Sequence, residues 1–159
     1  MTDDVNDHRP SKQTAAAPEL RLNEPPPRAA CDVLLVEDDP SLCRTLRDFL
    51  RDCGFVTFTA GGIREAWEMV QSLRPRLCLL DLNLPDGSGL DVLRNILTLQ
   101  LPVRVIVMTA FPLHHLRPRY SNHTLSAWLT KPVPPQQLLE AVREALEGNQ
   151  NDQTRMTND

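Results

Sequence analysis

Leu77-Cys78-Leu79-Leu80-Asp81-Leu82-Asn83-Leu84-Pro85-Asp86-Gly87-Ser88-Gly89 is the stretch whose reading decides the fold. Apolar residues run straight into one aspartate, Asp81, and a Leu-Pro-Asp-Gly turn follows at once. A short continuous apolar run bounded by turn residues has the pattern of a strand buried on both faces, as in a parallel sheet. Open sheets of that kind bind their ligands beyond the C-terminal ends of the strands, so the pattern delivers the Asp81 carboxylate to a ligand-binding edge. Pro85, Gly87 and Gly89 let the loop after it turn sharply beside a small anionic ligand. Taken alone, Asp81 serves equally well as a cap on the next helix. Its companions elsewhere in the chain decide between the two.

The same pattern recurs on both sides. Upstream, Val33-Leu34-Leu35-Val36 ends in Glu37-Asp38-Asp39, and Phe55–Thr59 has strand composition. Downstream, the run Val103–Met108 ends at Thr109-Ala110, and Ala127-Trp128-Leu129-Thr130 finishes at Lys131-Pro132. Helical spacing fills the gaps. Asp39 is placed to cap a helix with Pro40 at its first position, Leu42, Leu46, Phe49 and Leu50 on one face, and a stop near Gly54. Ile63, Ala66, Trp67 and Val70 mark the second helix, and Leu90, Leu93, Ile96 and Leu97 the third. Leu138, Leu139, Val142 and Leu146 mark the last, with Arg143 and Glu147 as an i,i+4 pair. Between Phe111 and Leu125, Pro112 and Pro118 predict an irregular fourth helix. Strand and helix alternate with short connections, which predicts a doubly wound α/β fold around a five-stranded parallel sheet.

Size and composition bound the function. A chain of 159 residues with net charge −4 fits one soluble domain. The Pro-rich stretch 1–31, with Pro10, Pro18 and Pro25-Pro26-Pro27, predicts a disordered extension that serves as a tether, a polyproline II ligand or simply a solvated arm. Residues 32–147 form the predicted domain, and 148–159 a polar tail. No clustered Lys/Arg face invites nucleic acid, and no apolar run approaches the ~20 residues needed to span a bilayer. The polar start of the chain lacks an apolar signal core, so a cytoplasmic protein is expected. Cys31, Cys43, Cys53 and Cys78 lack metal-ligand or redox spacing and read as reduced structural thiols. His114-His115 are adjacent, which does not suit a shared metal, and they read as solvent-exposed.

The chemistry gathers at the strand ends. If the strands are parallel, Glu37, Asp38, Asp81, Thr109 and Lys131 meet at one edge. Three carboxylates in one place repel unless a cation joins them, and oxygen-only donors suit Mg²⁺. Lys131 adds a compact charge suited to phosphate, and Thr109 a hydroxyl donor. Such a set neutralises an incoming phosphoryl group while Asp81 attacks phosphorus, giving an aspartyl phosphate.

Val33–Asp39, Leu79–Gly89, Val105–Ala110 and Lys131-Pro132 together resemble the response regulator receiver domain of two-component signalling, over roughly residues 32–147. The resemblance implies a flavodoxin-like (βα)5 fold with Asp81 as phosphoacceptor and Asp38 as a direct Mg²⁺ ligand. It also implies that Glu37 acts on the metal through water, that the Asn83 backbone carbonyl completes the ligands, and that Thr109 and Lys131 contact the phosphoryl group. A cis Lys131-Pro132 bond is implied too. Trp128 stands where the family usually has a Tyr or Phe that swings inward on activation, and Thr124-Leu125 where Gly-Ala is usual. Asn83 and Phe111 occupy positions that tune dephosphorylation. The implied role is a stand-alone switch that catalyses its own aspartyl phosphorylation. It takes phosphoryl groups from a histidine kinase or phosphotransfer protein and signals through a protein target or a homodimer. A pseudo-receiver used purely as a binding module is one alternative. An aspartyl-phosphate phosphohydrolase is another, against which Asn83 stands where such enzymes of the haloacid dehalogenase type have a second Asp.

Overall fold

The computed structural model describes residues 31–111 and 124–152. The Pro-rich extension as far as residue 30, and the fourth-helix region with Pro112, Pro118 and the histidines, lie outside them. Strands β1 (Val33–Val36), β2 (Thr57–Ala60), β3 (Leu77–Asp81), β6 (Arg104–Thr109) and β7 (Leu125–Thr130) form one sheet in the order β2-β1-β3-β6-β7. All four pairings are parallel. Between β3 and helix α3 a two-residue hairpin, β4 (Asn83–Leu84) against β5 (Gly87–Ser88), replaces the simple turn that the sequence suggests. The described helices are α1 (Pro40–Asp52), α2 (Ile63–Leu73), α3 (Leu90–Thr98) and α4 (Pro135–Asp152).

The continuous apolar runs are explained by two cores, one on each face. Val33 and Leu35 of β1, Leu77 and Leu79 of β3, and Ile106 and Met108 of β6 pack with Leu50 of α1 and with Leu138 and Val142 of α4. Their neighbours in sequence, Leu34, Val36, Cys78, Leu80, Val105 and Val107, pack on the opposite face. Ala66 and Val70 of α2 and Val92, Leu93 and Ile96 of α3 complete that layer. Successive strand residues point to opposite faces, so a strand covered on both sides must be apolar at every position. Truncating a buried leucine in such a strand costs roughly 2–5 kcal/mol.

The ends of the elements differ from expectation in specific ways. The second strand begins at Thr57 rather than Phe55, because the Phe55 N–H turns back to the Leu50 carbonyl at the end of α1. The last helix runs through Gly148 to Asp152. Packing begins at Cys31, which is fully buried. Asp32, also buried, accepts from the Val56 N–H (2.9 Å) and from Arg76 Nη1 (3.3 Å), while Arg76 Nη2 reaches the Leu146 carbonyl (3.2 Å). Asp32 and Arg76 together thus tie the starts of β1, β2 and β3 to the C-terminal half of α4.

Asp39 caps α1 as its position predicts, accepting from Ser41 N and Leu42 N. Helix α2 is capped from a distance. Gly62 at its N-cap has no side chain, and Asp86 of the hairpin accepts from the Ile63 N–H (2.8 Å) and the Arg64 N–H (3.1 Å). A Cβ on Gly62 would sit 2.9 Å from that carboxylate, so the glycine makes room for the remote cap. These two backbone donors hold the Asp86 carboxyl below its ordinary value. The capping contribution is therefore whole above about pH 4 and is lost as pH falls through the lowered native value. Asp86→Ala is expected to melt at lower temperature than wild type at pH 7, with the gap narrowing below about pH 4. A gap that stays constant into acid in thermal denaturation would contradict the capping role.

Candidate functional site

Strand register does the first part of the assembly. Val36 lies opposite Leu80, so the next residues, Glu37 and Asp81, emerge side by side at the same sheet edge. Asp81 lies opposite Met108, and Thr109 lies opposite Thr130, which brings Thr109 and then Lys131 to the same edge. Glu37, Asp81 and Thr109 are buried, whereas Asp38 is exposed at the mouth.

Lys131 Nζ lies 2.5 Å from Glu37 Oε2 and 2.6 Å from Asp81 Oδ2. Each carboxylate spends its other oxygen on its own loop. Glu37 Oε1 accepts from the Asp39 N–H (3.1 Å), and Asp81 Oδ1 from the Asn83 N–H (3.0 Å). The Lys131 side chain is 17% exposed, and breaking so enclosed a pair would leave two carboxylates facing each other. Burial pulls the Lys131 ammonium down, but the hydrogen bonds and charges of Asp81 and Glu37 outweigh it and hold it above its ordinary value. Its contribution to stability is thus present throughout the neutral range, and is lost only as pH rises through the raised native value, above about 10.

Thr109 is held at both ends. Its hydroxyl oxygen accepts from the Phe111 N–H (3.1 Å), leaving its own O–H to donate, and its carbonyl accepts from the Lys131 N–H (2.8 Å). The Lys131-Pro132 bond is cis. Phe111 is 61% exposed beside the site. Trp128 is half-buried on β7, opposite Val107, and packs against the core shared by α2 and α3. Asn83 is exposed, and it is its N–H that engages Asp81.

The donor set fits a small hard cation. One carboxylate oxygen from each of Glu37, Asp38 and Asp81 lies within 4.8 Å of the others. Mg²⁺ takes oxygen ligands and keeps several waters, so a trio of this spacing, part buried and part open to solvent, suits it better than a metal that prefers nitrogen or sulfur.

Two contributors were not assigned these roles by the sequence pattern. The first is Asp86, the remote cap. The second is the reason for Gly89, which is not needed for its backbone angles, since its φ is an ordinary −56°. Its N–H donates to the Leu82 carbonyl (3.0 Å), and a Cβ there would lie 2.1 Å from the Asp81 carbonyl oxygen. Only glycine lets the chain pass so close behind Asp81. The glycine at the N-cap of α2, with no side chain of its own, was the available signal for Asp86.

The response regulator receiver domain model matches residues 33–143. The chain belongs to that family. The chain shares 35% identity over 134 residues with the DNA-binding response regulator MtrA of Mycolicibacterium smegmatis, covering 78% of this chain and 54% of that protein. It shares 34% over 119 residues with the alginate biosynthesis transcriptional regulatory protein AlgB of Pseudomonas putida, covering 74% and 26%. The receiver thus spans about half or less of these relatives. Among solved structures, a signal receiver domain from Vibrio parahaemolyticus superimposes with a TM-score of 0.73 at 30% identity, covering 80% of this chain and 98% of that one. A CheY-like receiver from Methanospirillum hungatei gives 0.69 at 24%, covering 76% and 96%, a likeness of fold. No helix among the described residues is long and apolar enough to cross a membrane.

Gly89→Ala is expected to destabilise the receiver by roughly 1–3 kcal/mol, because the new methyl must push the Asp81 backbone aside. Urea denaturation reads this directly, and wild-type stability in the variant would contradict the close approach.

Proposed function

We propose that this receiver is a phosphorylation switch whose acceptor is Asp81. The observation that carries the reading is the convergence of Glu37 and Asp81 on one lysine, with the Thr109 hydroxyl supplied by the neighbouring strand. Asp81 Oδ attacks phosphorus as the bond from phosphorus to the donor breaks, and the donor leaves with that electron pair. Lys131 follows the negative charge from the carboxylate to the phosphoryl oxygens, and the Thr109 O–H donates to one of them. Glu37, Asp38, Asp81 and the Asn83 carbonyl are the groups that would hold Mg²⁺, which when bound supplies further charge neutralisation.

The donor is a histidine kinase or phosphotransfer protein, and the switch acts in the cytoplasm. The receiver passes its signal on by a protein contact, with a downstream target or with a second copy. Phe111 beside Thr109 offers a phenyl ring where a polar side chain would orient an attacking water, so the aspartyl phosphate hydrolyses slowly.

Incubation with Mg²⁺ and a small acyl phosphate is expected to add one phosphoryl group to wild type, read by intact mass, and none to Asp81→Asn. Removing Mg²⁺ with a chelator abolishes the adduct. An unmodified, folded wild type would overturn the reading in favour of a binding module without phosphorylation. The same mass measurement followed over time tests Phe111. The wild-type adduct is expected to outlast seconds by a wide margin and Phe111→Glu to shorten its lifetime, and a half-life of seconds in wild type would sink the assignment.

A further inference from the structure

At the end of the sheet remote from Asp81, α2 and α3 stop side by side. Arg74 and Gln100 take left-handed φ values of 46° and 50°, and each is followed closely by a proline, Pro75 and Pro102. Between the two exits lies an apolar groove of about 390 Å³, lined by Trp67, Val70, Pro75, Leu99, Leu101 and Pro102. Leu99 is 57% exposed there. A half-buried tryptophan beside two proline rings is the kind of surface on which a polyproline II segment packs.

The chain itself supplies such a segment at the right place. Cys31 lies in the α2–α3 core, and its carbonyl accepts from the Arg76 N–H (3.2 Å). Pro75, on the groove wall, is the residue before Arg76. The chain therefore enters the sheet one residue from the groove, on the face where the groove opens. Pro25-Pro26-Pro27 ends four residues before Cys31. At ~3.1 Å per residue that stretch reaches about 12 Å, enough to lay the prolines along the groove. Charge also matches. Glu24 precedes the prolines, and Arg74 on the rim makes no ion pair among the described residues.

We propose that Pro25-Pro26-Pro27 of this chain docks, in polyproline II form, in the groove between the C-terminal ends of α2 and α3, with Trp67 as its platform and Arg74 facing Glu24. The docked arm covers Leu99 and Trp67 at the base of the domain and leaves the Asp81 edge open. The tether makes the event intramolecular, so weak packing suffices to populate it.

The test is NMR on the full chain. Cross-peaks are expected between the Trp67 indole protons and the rings of the 25–27 prolines. They disappear in Pro25→Ser/Pro26→Ser/Pro27→Ser, whereas cross-peaks to Pro75 and Pro102 remain. The Trp67 Nε1–H resonance shifts in that variant and, in the same direction, in Leu99→Glu, an exposed substitution that the fold tolerates. Neither change depends on protein concentration. A Trp67 resonance identical in wild type and the triple variant would overturn the proposal. So would cross-peaks that grow with concentration, which would place the arm of a second copy in the groove. Neither outcome depends on phosphorylation of Asp81.

Discussion

One ammonium joins the two carboxylates on which the site depends. Lys131 Nζ stands between Glu37 and Asp81, the ends of adjacent strands, and without it their like charges would face each other in a largely buried space. The demand for a cation at this point explains the rest of the edge. The third carboxylate, Asp38, is exposed on the solvent side, and the trio has the spacing and the donor type that fit a hard cation. The lysine arrives there only because β7 pairs in parallel with β6, and Thr109 anchors the arrival by accepting from the Lys131 N–H.

Behind the carboxylates, the backbone combines hydrogen bonds with one close approach. Gly89 passes against the Asp81 carbonyl with no room for a methyl group. The hairpin between them carries Asp86 outward to the first N–H groups of α2. The loop after Asp81 is therefore joined to α2 through the hairpin. At the far end of the sheet, Asp32 and Arg76 perform the corresponding task, tying strand starts to the C-terminal half of α4.

The fold was legible because its signal is redundant. Val33–Val36, Leu77–Leu80 and Val105–Met108 are apolar at every position, and only a sheet covered on both faces demands that. The meeting of Glu37, Asp38, Asp81, Thr109 and Lys131 was legible for a related reason, since each closes a strand or follows within two residues of one, and parallel pairing collects them. What the pattern did not reveal depends on spatial neighbours. Asp86 reads as a turn residue until α2 is found beside it, and Gly89 reads as a glycine for a sharp turn until Asp81 is found behind it. Thr57 rather than Phe55 opens its strand because a backbone hydrogen bond to Leu50 claims Phe55 first. In each case the deciding partner is distant in sequence or hidden in backbone geometry, where composition and periodicity carry no information.

The most direct test is to locate the phosphoryl group chemically. Borohydride reduces an aspartyl phosphate to homoserine and leaves free carboxylates untouched. Peptide mass spectrometry after phosphorylation in Mg²⁺ and borohydride treatment should find homoserine in place of Asp81 and nowhere else. Reduction at Glu37, Asp38 or another carboxylate, with Asp81 intact, would contradict the account.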